Sequence, residues 1–281
     1  MKLKYLSWLG WIPSLWYLLF LIFPLAFVLT YSFLTRGIYG TVEWEFTLSN
    51  YVKLLQPIYF LIFWDSFKLA LLTSFVCLIL GFPMAWAMAS MSNKWRNICL
   101  VLIAIPFLTN LIGRVYALRL FTSFEGPLVG WLQNLGLDVN PYGFTHNYYM
   151  VVYGMVANYL PFMVLPLYSS MEKFDFSLLE AAYDLGASHW QAMTQVLIPV
   201  SKNSIATGVV MVFIPSLGEF VIPDLLGGAK NMMVGNLITE QFLKARDWPF
   251  GSAVSVFLIM VLCLAVLLGF VWKPRKEHGK N

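Results

Sequence analysis

The sequence predicts an all-α protein that crosses a membrane six times. Three observations carry this reading. Hydrophobic residues make up 59% of the 281 positions and charged residues 11%, with a mean hydropathy of +0.72, whereas a soluble domain carries about 25% charged residues. No water-soluble fold of this length hides so much apolar surface, so the solvent is lipid. Apolar runs recur six times along the chain, each near the ~20 residues that cross the hydrocarbon. Cations gather at the ends of several runs, so the net charge of +4 reads as topology and not as affinity for nucleic acid.

The first run, residues 7–34, follows Lys2 and Lys4. It imitates a secretory signal, but its apolar part far exceeds the ~7–15 residues of a signal core, so it is expected to be kept as a span. Pro13 and Pro24 are expected to bend it. Further spans are expected at 69–91, 98–120, 148–170, 205–226 and 252–272, within a single transmembrane domain covering 1–281. An even number of spans places both termini on one side, together with the connections after the second and fourth spans. Cations assigned to that side barely outnumber those opposite, but they cluster at Lys2 and Lys4, at Lys94 and Arg96, and between Lys273 and Lys280. Short flanks are where a positive-inside bias acts, and the clustering supports cytoplasmic termini.

The opposite connections carry structure of their own. A capping residue in Thr47-Leu48-Ser49 precedes a short helix that stops before Pro57. Leu128, Trp131, Leu132 and Leu135 keep helical spacing, with Gly136 as the stop. Cys77, Cys99 and Cys263 lie in or beside apolar runs without paired spacing and read as packing residues. His146, His189 and His278 are scattered, and no metal is assigned. The phosphate-cradling pattern Gly-x-x-x-x-Gly-Lys-Ser/Thr does not occur, so the chain itself has no nucleotide site of that type.

The connection at 171–204 is the most informative stretch. Residues 178–185 can form a short helix with Ser177 as N-cap and Glu180 completing a capping box. Gly186 suits the left-handed turn that ends such a helix, and Ser188 can cap a second one over 190–197, which is expected to give way at Pro199. The product is a helix–Gly–helix knob with Ala181 and Ala182 on its surface. The spacing Glu180-Ala181-Ala182, three residues, Gly186, nine residues, Val196, one residue, Ile198, Pro199 resembles the coupling loop in permeases of bacterial ABC importers. That family carries Ile and Leu where Val196 and Ile198 stand. The resemblance implies a type I importer permease fold, with Glu180, Ala181, Ala182, Asp184, Gly186 and Pro199 meeting a separate ATP-binding subunit. A knob that meets an ATPase is cytoplasmic, in agreement with the charge clusters.

Ionisable groups inside a span are costly and become functional candidates. In the fifth span Pro215 and Pro223 interrupt the hydrogen-bond ladder and Gly218 loosens it around Glu219, Phe220 and Asp224. The two acids are about 140° apart on an unbroken helix, so the breaks are needed to turn both toward one passage. Acids beside an aromatic ring suit a flexible cation. Arg114 in the third span is counted with Glu219, Phe220 and Asp224 along the substrate pathway; Glu219 can pair with Arg114 or Arg119, Arg114 being the deeper partner and snorkelling at the interface the cheaper reading of Arg119. A bare arginine in the passage would instead favour an anionic solute.

The fifth-span segment, Pro161 to Tyr168, and Arg246-Asp247-Trp248-Pro249 look like the spermidine/putrescine branch of these permeases. By that resemblance the partners are a second permease subunit, a dimer of ATP-binding subunits holding ATP and Mg, and a periplasmic solute-binding protein, all at a bacterial inner membrane. Other solutes remain open within the resemblance. An ion-gradient-driven transporter using Glu219 as proton carrier is the alternative from another class. A membrane-embedded enzyme would need a Ser/His or Asp/Asp set within the spans, and the sequence offers none.

Overall fold

The computed structural model describes residues 13–137, 144, 146–228 and 232–271, the side chains of 266–271 apart. Helix α1 (Pro13–Tyr31) leads into a hairpin of β1 (Leu34–Arg36) and β2 (Val42–Phe46). Then come α2 (Ser49–Leu54), α3 (Pro57–Ser90), α4 (Asn93–Leu108), α5 (Leu111–Phe121), α6 (Pro127–Asn134) and α7 (Tyr148–Met171). Helix α8 (Ser177–Asp184), α9 (His189–Gly218), a π-helical turn at Pro223–Gly227, α10 (Val234–Leu243) and α11 (Trp248–Val271) complete the order. Among the described residues five helices are long and apolar enough to cross a membrane, and α4 with α5 makes a sixth crossing when the bent pair is taken as one. The chain is a mostly helical polytopic membrane protein.

The third span departs from the straight helix expected over 98–120. Helices α4 and α5 meet at 96°. Thr109 and Asn110 are extended, and the Asn110 side chain accepts from the amides of Ile112 and Gly113 to start α5 afresh. Thr109-Asn110 was a legible cap inside an apolar run. The second helix also begins earlier than expected, at Pro57, a residue suited to the first turn because it lacks the amide that would go unpaired there. Position 7 and the other residues before 13 in the first expected span lie outside the described residues. Within α1 a π-helical turn at Leu18–Ile22 precedes Pro24, widening the ladder where the proline supplies no donor.

The contacts form two compact units, one from the described parts of Met1–Leu61 and Leu237–Asn281, the other from those of Ile62–Asn236. In the first, α11 packs on α1, α2 and β1. The hairpin turn is closed by Gly37 N–H to Thr41 O at 2.7 Å, with Gly40 at φ +75°. It was not expected from the apolar pattern, although Gly37 and Gly40 bracket it between β-branched and aromatic residues. Asn50 donates to the carbonyls of Ser32 and Leu34, Arg36 donates to that of Ala245, and Lys53 lies 3.6 Å from Asp247 and 4.0 Å from the centre of the Phe250 ring. The short helix expected before Pro57 is present as α2, and the one expected before Gly136 as α6, with Gly136 at φ +77°.

The second unit is built on α7 and α9. Val151, Met155, Tyr159, Met163, Leu167 and Met171 stand four apart on α7 and are all buried, which makes one continuous ridge. Gly81 of α3 and Gly208 of α9 lie against Met163 from two helices. Small residues let membrane helices approach closely enough for dispersion contacts, since lipid leaves no hydrophobic drive between them.

Candidate functional site

The fifth span breaks where its sequence is weakest. Pro215 removes one helix donor, α9 stops at Gly218, and Glu219 turns extended at ψ 133°. The chain re-enters helix at Val221 and passes through the π turn with Pro223 in its first position. The helix that becomes the fifth span therefore begins at His189 in the knob, well before the expected 205, and is interrupted before the expected 226.

Glu219 organises the break. It is 8% exposed. Its Oε1 accepts from the amides of Phe220 at 3.1 Å and Val221 at 2.9 Å, capping the helix that follows. Its Oε2 accepts from the Tyr159 hydroxyl at 2.6 Å. The Phe220 carbonyl, freed by the break, receives Asn236 Nδ2 at 3.0 Å and the Asp224 amide at 3.0 Å. Gly235 lies against the carbonyls of Gly218 and Glu219. Ser66 of α3 accepts from the Val234 amide at 2.8 Å, which holds that segment in place. A broken backbone in a span is tolerated when each freed group finds such a partner.

One expectation is corrected here. Glu219 does not pair with Arg114: the Arg114 Nη2 donates to Asn158 Oδ1 at 2.7 Å, and its buried Nε has no hydrogen-bond partner among the described residues. The two acids stand in different surroundings, Glu219 buried and Asp224 exposed on the π turn. Phe220 is 42% exposed beside them. Tyr159, Asn158, Asn236 and Gly235 were missed. Asn158-Tyr159 was visible as a polar pair inside the apolar run 148–170, just before Pro161.

The knob has firmer geometry than its sequence suggested. Leu185 caps α8, Ala187 N–H reaches Ala182 O at 3.0 Å, Gly186 N–H reaches Tyr183 O at 2.9 Å, and Gly186 sits at φ +83°. This is a Schellman motif, and it needs a residue tolerant of the left-handed region. Ser188 and Gln191 form a reciprocal capping box at 3.3 and 2.8 Å. Tyr183 stacks on His189, with its hydroxyl 2.9 Å from Nδ1.

At the start of α8 the expected Ser177 cap is replaced. Asp175 Oδ1 accepts from the Ser177 amide at 3.0 Å, and Phe176 occupies the cap position. Hydrogen bonds from the Ser177 side chain and then its amide hold the Asp175 carboxyl below its ordinary value. Pro199 does not end the second helix. A π turn at Met193–Leu197 accommodates the missing proline donor, and the helix runs straight into the span.

The knob is anchored by buried Phe174, Leu179, Ala192 and Leu197, which join a core with Ala85 and Met88 of α3. Arg96 at the start of α4 lies 3.6 Å from Glu172 after α7. Of the residues expected to meet an ATPase, Glu180, Ala181, Asp184, Gly186 and Pro199 are exposed and Ala182 is half-buried. Its outer face also carries Leu185, 89% exposed, and Trp190, 74% exposed.

A helical membrane chain with a hydrogen-bonded break in one span and a capped, packed two-helix knob between two spans is built as a transport subunit. The chain belongs to the family of binding-protein-dependent transport system inner membrane components, which residues 5–273 match. It is 44% identical over 266 residues to the spermidine/putrescine transport system permease protein PotB of Escherichia coli K12, covering 95% of this chain and 96% of that protein. The PotB of Haemophilus influenzae is 38% identical over 253 residues, covering 90% and 88% of the two chains. A chain in the crystal structure of a bacterial alginate ABC transporter, in complex with its oligosaccharide-bound periplasmic protein, superposes with a TM-score of 0.71 at 18% identity, covering 95% and 93%. That likeness establishes the shared permease fold. The protein is a multi-pass inner-membrane permease subunit.

Proposed function

We propose that this subunit imports polyamines, spermidine or putrescine, in an ATP-driven complex. The observation that carries this reading is the 44% identity to a spermidine/putrescine permease along 95% of the chain. The buried Glu219 and the neighbouring Phe220 ring support it, because a carboxylate in a span is the counter-charge an alkylammonium needs and a ring face adds to it. In this reading Glu219, Phe220 and Asp224 border the passage, and Arg114 stands at its edge.

The complex contains a second permease subunit, two ATP-binding subunits that supply ATP and Mg chemistry, and a periplasmic polyamine-binding protein. Both termini and the knob face the cytoplasm. ATP binding in the partner moves the knob through Glu180, Ala181, Ala182, Asp184 and Gly186. Pro199 sits within α9, just after the π turn that joins its knob part to its span, so the movement passes directly into the broken span. The two permease subunits rock, and the passage changes the side to which it opens.

The test is co-purification of the whole complex and identification of the solute held by its binding protein. Uptake by the reconstituted complex is then competed with polyamines, amino acids and phosphate-bearing solutes. Competition by polyamines, surviving collapse of the membrane potential and stopping on ATP depletion, is the expected result. Competition by an anionic solute alone overturns the substrate, and dependence on the potential without ATP overturns the mechanism.

A further inference from the structure

The contact between α5, α7 and the break is layered. A Cβ at Gly154 of α7 would meet Leu226 at 2.6 Å, Ile222 at 3.0 Å and Leu118 of α5 at 3.9 Å, which defines an apolar layer. One helical turn along each element from that layer stand Asn158 on α7, Arg114 on α5 and Glu219 before the resumed helix. Opposite formal charges thus approach the same short stretch of α7 from two sides. They do not meet. Arg114 donates to Asn158, and Tyr159, the next residue, donates to Glu219.

This arrangement is costly unless it serves something. A partly buried guanidinium and a buried carboxylate within reach of one helix turn normally pair, because removing each from water is only offset by the other. A hydroxyl donor leaves the carboxylate with its full negative charge, and Oε2 keeps a lone pair for another donor. The amide of Asn158 likewise occupies Arg114 without neutralising it.

We propose that Asn158 and Tyr159 are specificity-determining positioning residues that keep Arg114 from neutralising Glu219, so that the break presents an unspent negative charge to a cationic solute. The inference rests on the reading of Glu219 as the counter-charge of an ammonium group. Losing either spacer lets Arg114 swing onto Glu219, and the passage loses its preference for cations.

Spermidine uptake at limiting concentration by the complete transporter in proteoliposomes tests this, with Tyr159→Phe, Asn158→Leu, Arg114→Gln, Glu219→Gln and the doubles. Tyr159→Phe removes one hydroxyl and keeps the ring, so it guards against misfolding of the larger change. With Arg114 present, each spacer variant is expected to cut uptake about tenfold, the scale of one charge-assisted contact. In the Arg114→Gln background the same change is expected to cost within about twofold. A loss of equal size in both backgrounds overturns the spacer role and makes these residues ordinary packing. Undiminished uptake in Tyr159→Phe, with Glu219→Gln defective, overturns the spacer while leaving the Glu219 reading intact. Undiminished uptake in Glu219→Gln overturns both.

Discussion

Gly235 lies directly against the carbonyl of Gly218, the last residue before the break in the fifth span, and 2.9 Å separates a Cβ built there from the carbonyl of Glu219. The obstacle is backbone on both counts, so it cannot rotate away as a side chain would. Gly235→Ala is expected to push the two segments apart and destabilise the unit by about 1–3 kcal/mol, the usual cost of overpacking. The checking measurement is the thermal inactivation of the detergent-solubilised complex beside Gly113→Ala, where a Cβ would meet nothing within 4 Å. Equal inactivation of the two variants would show that the contact carries no weight.

Gly186 makes a second backbone demand. At φ +83° with open space around it, the position rejects side chains for conformation and not for room. Gly186→Pro cannot adopt that φ and should dismantle the knob turn, leaving the subunit in the membrane but without stimulated ATPase in the complex. Gly186→Asn, tolerant of the left-handed region, should keep most of the stimulation. Normal stimulation in the proline variant would remove the knob from the coupling path.

How much of this was readable beforehand differs by element. The knob was legible because its signals are local: a glycine at the turn, Ser188 with Gln191 at the second cap, and helical spacing between. The break was legible for the same reason, through Pro215, Gly218 and Pro223. What escaped depends on partners distant in sequence. Nothing near Glu219 says that Tyr159 reaches it, and an arginine and a glutamate in the third and fifth spans invite a pair, whereas Arg114 donates to Asn158 instead. The sequence likewise does not say how differently Glu219 and Asp224 are buried. The direction of each side chain is set by where the helix resumes, and one is buried while the other is exposed. The bend between α4 and α5 was missed because hydropathy averages over Thr109-Asn110, although the capping chemistry of Asn110 is local.

Leu185 and Trp190 are large apolar groups left in water on the knob, at 89% and 74% exposure, while Phe174 and Leu179 of the same connection are buried. Exposed apolar anchors beside a rigid turn are the residues a partner buries. Leu185→Glu and Trp190→Ala are each expected to weaken retention of the ATP-binding subunit by about 2 kcal/mol, roughly thirtyfold in dissociation constant. Pull-down of the partner across a concentration series reads this directly. Retention within twofold of wild type, about 0.4 kcal/mol, would move the docking face elsewhere.

The start of α8 carries a pH signature. Hydrogen bonds from Ser177 hold the Asp175 carboxyl low, so its ionised form is favoured in the folded knob. A depressed carboxylate contributes stability that is fully present above its unfolded value and is lost as pH falls through its folded value. Exchange protection of the amides of Ser177 to Glu180, corrected for intrinsic rates, should exceed that in Asp175→Ala by a constant factor near neutrality. The difference should shrink only below pH about 4, where aspartate takes up a proton. A difference that disappears already near neutral pH would assign it to another group.

Met163 is held from two sides, by Gly81 of α3 and Gly208 of α9, where built Cβ atoms would approach its Cγ at 2.9 Å and its sulfur at 2.7 Å. A methionine ordinarily absorbs a new methyl by changing rotamer, but here a swing away from one glycine leads toward the other. Gly208→Ala should therefore cost about 1–3 kcal/mol, more than the flexibility of its neighbour would suggest. Made together with Met163→Ala, which empties the space the methyl needs, the same change should cost markedly less, a coupling of about 0.5–3 kcal/mol between the two sites. Since membrane complexes unfold irreversibly, the measurement is the inactivation half-life at one temperature, compared across the four combinations. Strictly additive losses would mean that α7 and α9 yield at this point, and the close approach of the two helices would then have to be maintained by contacts other than the Met163 clasp.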